Sequence, residues 1–149
     1  MKLEDEIKQN KFKSEYQKLS VNILFTANWL EHHHGQHCKK HDITSEQFNI
    51  LRILRGQYPK AATVNLLIER MLNKMSNASR LVEKLRKKGL VERETSQTDR
   101  RACDVMITKK GLSLLAEMDK SEREWTKLIS HISENEAKHL NFMLDKLRK

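Results

Sequence analysis

Residues 63–111 read TVNLLIERMLNKMSNASRLVEKLRKKGLVERETSQTDRRACDVMITKKG, and this stretch decides the fold. Thr63 can cap a helix that carries Val64, Leu67, Ile68 and Met71 at amphipathic spacing. Leu72, Asn73 and Lys74 fill a tight turn. A second helix is expected over residues 75–88, with Ala78, Leu81, Val82 and Leu85 inward at i, i+3, i+4 and i+7. Gly89 then stands where a left-handed C-cap is needed. Residues 90–95 and 103–107 are short and rich in strand-forming types, and residues 96–101 between them are polar, so the two segments read as a hairpin.

Helices extend outward on both sides. Thr44-Ser45-Glu46-Gln47 has the form of a capping box, followed by Phe48, Leu51 and Leu54 at inward positions and a stop near Gly56, before Pro59. Upstream, Phe12, Tyr16, Leu19, Ile23, Ala27 and Leu30 make one face of a long first helix. Downstream, Thr108 can cap a helix reaching about His131, and Ser133-Glu134-Asn135-Glu136 is a second capping box before a final helix. That last helix carries Ala137, Leu140, Met143, Leu144 and Leu147. The terminal helices hold more apolar surface than one small core needs, which implies a partner, most simply a second copy of the chain. The expected fold is mainly α, a winged helix-turn-helix with a two-stranded β-wing and a terminal-helix dimerisation region. Its expected parts are an N-terminal dimerisation helix (1–42), a winged helix-turn-helix domain (43–111) and C-terminal dimerisation helices (112–149).

The chain has 149 residues and a formal net charge of +9. Thirteen of its 29 Lys+Arg, but only six of its 20 Asp+Glu, fall in residues 60–110. The basicity is therefore local, as a polyanion footprint would be, although a solvated helix face carries charge in the same way. No stretch has the length of a membrane span, and MKLEDEIKQNKFKSEY has no signal-peptide character. Cys38 and Cys103 make no disulfide framework, so a cytoplasmic protein with free thiols is expected. No nucleophile elbow, P-loop, dinucleotide loop or HExxH motif is present, and an enzyme is not expected.

The second helix of the motif has an ordered polar side. Ser76, Asn77, Ser79 and Arg80 come first, and Lys84, Lys87 and Lys88 follow. Short polar groups and Arg80 suit base edges in the major groove, whereas the lysines can only neutralise phosphates. A Lys-rich helix end also complements the helix dipole in an ordinary surface helix. In the hairpin loop, Arg100 and Arg101 are placed for a minor groove, and Asp99 is placed to pair with one of them and stiffen the tip. Double-stranded DNA is the expected partner. A non-specific architectural binder would share the charge but waste the base-reading groups.

ITSEQFNILRIL (43–54), SNASRLVEKLRKKGLVER (76–93) and DRRACDVMITKKG (99–111) together resemble the MarR family of transcriptional regulators. The last stretch fits that family's wing, Asp-x-Arg, a strand, then Thr-x-x-Gly. The turn departs from the pattern, because Leu72-Asn73-Lys74 stands where a glycine is common. The resemblance implies an obligate homodimer with interlocking terminal helices, on a pseudo-palindromic operator and usually a repressor. It implies Ser76, Asn77, Ser79 and Arg80 in the major groove, with Asp99 and Arg101 as the wing pair. It also implies release by a small effector, often aromatic, or by oxidation or metal. The family's pocket lies between the dimerisation helices and the DNA-binding part, which makes Phe25, Trp29, His33, Phe48 and Leu51 candidate lining residues.

HHHGQHCKKH (32–41) puts five histidines and a cysteine within ten residues. On a continuous helix, His34, Cys38 and His41 share a face, as do His33, His37 and His41. No cofactor is otherwise implied, but imidazoles and a thiolate suit Zn²⁺ or Cu. A metal-responsive regulator, a metal-buffering protein and a merely His-rich helix end are all open from sequence. Cys38 beside Lys39, Lys40 and His41 is also a candidate redox thiol. The family's oxidation-sensing branch, however, carries its thiol near the start of the first helix.

Overall fold

The computed structural model describes residues 1–95 and 103–149, so Asp99, Arg100 and Arg101 lie outside the described residues. The order is α1 (Leu3–Ile7), α2 (Glu15–Lys39), α3 (Ser45–Gln57), β1 (Ala62–Thr63), α4 (Val64–Arg70) and α5 (Ala78–Lys87). After these come β2 (Val91–Thr95), β3 (Cys103–Ile107), α6 (Lys109–Asp119), α7 (Glu122–Ile129) and α8 (Glu134–Leu147).

Helix α3 is the hub. Its capping box is present, with Gln47 N–H donating to Thr44 Oγ1 at 3.3 Å and Thr44 N–H donating to Gln47 Oε1 at 3.0 Å. Ile50, Leu51 and Leu54 are buried, and α3 packs against α2, α5, α6 and β3. Leu67, Met71, Val82, Leu85, Val91, Val105 and Leu115 complete the core. Burying a side chain of this size contributes about 1.5–3 kcal/mol, so the stability is concentrated beneath the helix-turn-helix and the sheet. By contrast, α8 buries none of its residues.

Two glycines hold the motif together. Gly89 has φ +70°. Around it, Gly89 N–H donates to Arg86 O at 2.9 Å and Leu90 N–H to Leu85 O at 3.0 Å, the paired bonds of a Schellman cap. Gly111 lies in the first turn of α6, capped by Thr108 Oγ1, which accepts from Gly111 N–H at 3.1 Å. A Cβ on Gly111 would come within 2.4 Å of Leu90 O and 2.6 Å of Ile107 Cγ1. The Thr-x-x-Gly pattern is thus a cap combined with a close approach of α6 to the sheet.

Four features differ from the sequence reading. The expected two-stranded wing of β2 and β3 is joined by a third antiparallel strand, giving the order β1-β3-β2, with Ala62 opposite Val105 and Thr63 opposite Asp104. A two-residue strand is too short for alternation to mark it. The first helical region is split, with Phe12 lying before α2 and Ser14 capping it through Gln17 N–H. The helix after Thr108 breaks at Lys120 and Ser121, whose N–H groups bond three residues back, to Glu117 O and Met118 O. Ile68, expected inward, is 40% exposed because α4 ends at Arg70 and turns Met71 into the core instead.

Candidate nucleic-acid interface

Helix α5 begins at Ala78, three residues later than the apolar spacing indicated. Asn77 is its N-cap, and its side-chain oxygen accepts Arg80 N–H at 3.0 Å. A short amide competes well for an orphan helix N–H, which explains the later start. Ala78, Val82 and Leu85 are buried, so the opposite flank presents Asn77, Ser79, Arg80, Lys84 and Lys87 to solvent. Ser76 is half-buried just before the cap.

The cations on this flank are not equivalent. Among the described residues, Arg80, Lys84 and Lys87 make no ion pair. Arg86 is held on its own helix, with Nε 3.0 Å and Nη2 2.8 Å from the two carboxylate oxygens of Glu83. That contact keeps the Glu83 carboxyl below its ordinary range. Lys88 donates to Asp42 Oδ2 at 2.9 Å and also to the Asp42 main-chain carbonyl. Its charge is therefore already opposed, and it ties the end of α5 to the α2–α3 junction.

The turn between α4 and α5 is held by two asparagines, one already placed in the turn by the sequence and one on α3. Asn49 Oδ1, on α3, accepts Leu72 N–H at 2.9 Å, and Asn73 Oδ1 accepts Met75 N–H at 3.0 Å. Asn73 in a turn is itself a signal, because Asx side chains bond two residues on. Asn49 sits inside a helical pattern, where nothing in the sequence distinguishes it.

Behind this turn lies a cleft of about 870 Å³, lined by Leu30, His34, Phe48, Arg52, Leu72 and Trp125 among others. The His34 ring stands edge-on to Phe48 at 5.0 Å and to Trp125 at 5.5 Å. Arg52 lies 5.9 Å over the Phe48 ring. Asp119 is taken by Arg55 at 2.6 and 3.3 Å, whereas Arg52 reaches it only at 3.9 Å.

Of the five candidate lining residues, only Phe48 lines this cleft. Leu51 is wholly buried in the core. Phe25 and Trp29 are turned aside, because the cleft takes the Ala27, Leu30 and His34 stripe of α2 and each residue step rotates about 100°. Trp29 packs edge-on against His33 at 4.9 Å, and His33 opens on a separate cavity of about 220 Å³ with His37 and Glu124.

The trio His34, Cys38 and His41 is not gathered. Cys38 Sγ lies 3.8 Å from His34 Nε2, but His41 is against His37, at 5.4 Å. Helix α2 ends at Lys39, and the tightened turn beyond it, in which His41 N–H donates to Cys38 O at 3.0 Å, carries His41 off the face that His34 and Cys38 share. Among the described residues, no three His, Cys, Asp or Glu side chains are grouped to hold a metal ion. Cys38 is also no activated thiol. It is 0% exposed, and burial together with the Glu31 charge pushes its pKa to about 11.

The capped helix-turn-helix, the adjoining antiparallel sheet and the polar flank of α5 define a winged-helix DNA-binding protein. Residues 41–102 match the family model described as MarR family. The chain is 29% identical over 133 residues to the transcriptional regulator MhqR of Bacillus subtilis, covering 87% of this chain and 89% of that one. The family-model match and the likeness to MhqR support a MarR-family winged-helix transcriptional regulator. Two solved structures share the fold. The S. aureus MepR–DNA complex has a TM-score of 0.76 at 22% identity, covering 92% of this chain and 97% of that chain. The organohalide-sensing regulator RdhR, bound to 2,4-dichlorophenol, has a TM-score of 0.81 at 21% identity, covering 94% and 85%. Among the described residues, no helix is long and apolar enough to cross a membrane.

Proposed function

We propose that this protein is a homodimeric, effector-responsive repressor that reads a pseudo-palindromic operator in the cytoplasm. Asn77, Ser79 and Arg80 meet base edges, and Lys84 and Lys87 meet phosphates. The effector is a small aromatic compound held in the cleft among His34, Phe48 and Trp125, with Arg52 available to a phenolate or carboxylate.

The observation that carries this reading is the shared wall. Leu72 lines the cleft and also opens the turn before α5, so an occupant of the cleft bears directly on the DNA-reading helix. The cleft volume is in the range of small-molecule sites. RdhR with its bound dichlorophenol and MepR with its bound DNA support the two halves of the reading. Homodimerisation is supported by the apolar residues left open on α8, and repression is the simple consequence of a dimer occupying promoter DNA.

The test is a binding titration on a selected-site DNA pool at fixed salt, with and without phenols and aromatic acids. Enrichment of a palindrome with half-sites about 10 bp apart, lost on adding one compound, is the expected result. Salt-sensitive binding with no enriched site would replace the reading with that of a non-specific architectural protein.

A further inference from the structure

Met75 is 93% exposed, yet its backbone is fixed on both sides. Its own N–H donates to Asn73 Oδ1 at 3.0 Å, and Ser76 N–H donates to Asn73 O at 3.3 Å. Two residues on, Asn77 caps α5. Lys74 is drawn away, because its ammonium donates to the Ile68 and Glu69 carbonyls at the end of α4. The exposed thioether is therefore carried by a hydrogen-bonded turn two residues before the N-cap of α5, and the polar groups Asn77 and Arg80 that follow in the chain are exposed too.

A flexible apolar side chain is an odd neighbour for groups that suit a polyanion. The major groove offers one apolar feature, the 5-methyl group of thymine. An unbranched thioether adapts well to such a small target. We propose that Met75 reads a thymine methyl group at a defined position of each half-site. This rests on the DNA-reading role of α5 and adds a specificity residue that hydrogen bonding alone would not supply. Covering one methyl group is worth about fourfold in affinity.

Replacing thymines one at a time by deoxyuridine tests this, because the substitution removes the methyl and keeps every hydrogen-bonding group. On a selected operator duplex, the wild-type protein should lose about fourfold in affinity at one symmetric position per half-site. Met75→Ala should bind the parent duplex more weakly and no longer distinguish the two bases there. Met75→Leu should keep the discrimination. Circular dichroism should be the same for all three proteins, since the side chain packs on no core. Wild-type protein that binds the parent duplex and every uracil-substituted duplex equally would overturn the proposal while leaving DNA binding intact. Undiminished methyl dependence in Met75→Ala would also overturn it, assigning the methyl to another side chain. Absence of binding to any selected duplex would remove the DNA reading itself, and this proposal with it.

Discussion

The side-chain oxygen of Asn49 accepts the main-chain N–H of Leu72 at 2.9 Å, joining the wall of the cleft on α3 to the turn that precedes α5. Removing the acceptor leaves that N–H to water, at a net cost of about 1 kcal/mol. Asn49→Ala should lower the unfolding free energy by that amount, speed amide exchange at Leu72 and weaken operator binding. Asn49→Asp keeps an acceptor and should retain most of the protection. If exchange at Leu72 were the same in Asn49→Ala as in the wild type, the bond would have no part in holding the turn.

The cations of α5 should separate by function. Arg80→Ala should reduce affinity for the selected operator more than for scrambled DNA, because a base-edge contact discriminates and a phosphate contact does not. Lys84→Ala or Lys87→Ala should weaken both alike and reduce the salt slope by about 2 for a dimer. Lys88→Ala should change that slope far less, since the Asp42 carboxylate already faces the ammonium at 2.9 Å. Affinities measured across a salt series decide the matter, and equal slopes for Lys84→Ala and Lys88→Ala would contradict it.

These distinctions show where the sequence was legible and where it was not. Caps at Thr44, Thr63, Thr108 and Ser133 were readable because a hydroxyl followed by an apolar period has one common local solution. Gly89 was readable because a left-handed C-cap favours glycine. The start of α5 was not, because Asn77 looks equally good as a cap and as the first turn of a helix. Strand β1 was hidden by its length. The Lys88–Asp42 and Asn49–Leu72 contacts join residues 46 and 23 positions apart, and no local spacing encodes them. The cleft lining depended on the rotational phase of α2, where one residue's error selects a different face.

Two glycines should respond in opposite ways to alanine. At Gly111 the added Cβ meets a backbone carbonyl at 2.4 Å, which cannot rotate away. Gly111→Ala should cost about 2–3 kcal/mol by forcing α6 off the sheet. Gly56 lies within α3, and a Cβ added there would meet no atom of another element within 4 Å. Gly56→Ala should therefore stabilise by about 0.5–1 kcal/mol through helix propensity and the entropy of the unfolded chain. Thermal melts of the two variants against wild type provide the comparison.

The buried thiol of Cys38 should leave a mark on stability at alkaline pH. Its pKa is raised by burial from 9.0 to about 11. Below pH 9 the thiol is protonated in both the folded and the unfolded chain, and the stabilisation is fully present. As pH rises from about 9 to 11, the unfolded chain releases its proton first and stability falls, by about 3 kcal/mol in total. Urea melts across that window should show this slope in the wild type and lack it in Cys38→Ala. At neutral pH, native Cys38 should resist alkylation and react only after denaturation. Rapid labelling of the native protein at Cys38 would reinstate it as a redox thiol.

Helix α8 presents Leu140, Phe142, Met143 and Leu147 at 50%, 62%, 46% and 55% exposure, and none of its residues enters the core beneath the helix-turn-helix. A second copy of the chain covering this face would bury apolar area that the single chain leaves in water. In the proposed homodimer, paired substitution of Leu140→Glu and Phe142→Glu should therefore shift the sedimentation of the protein from dimer to monomer. The secondary structure of α3 to α6 should persist, because its core lies elsewhere. Operator affinity should fall by far more than any single base contact contributes, since each half-site is then bound separately and the gain from linking the two is lost. A monomeric variant that held the full operator as tightly as the wild type would break the link between α8 and DNA recognition.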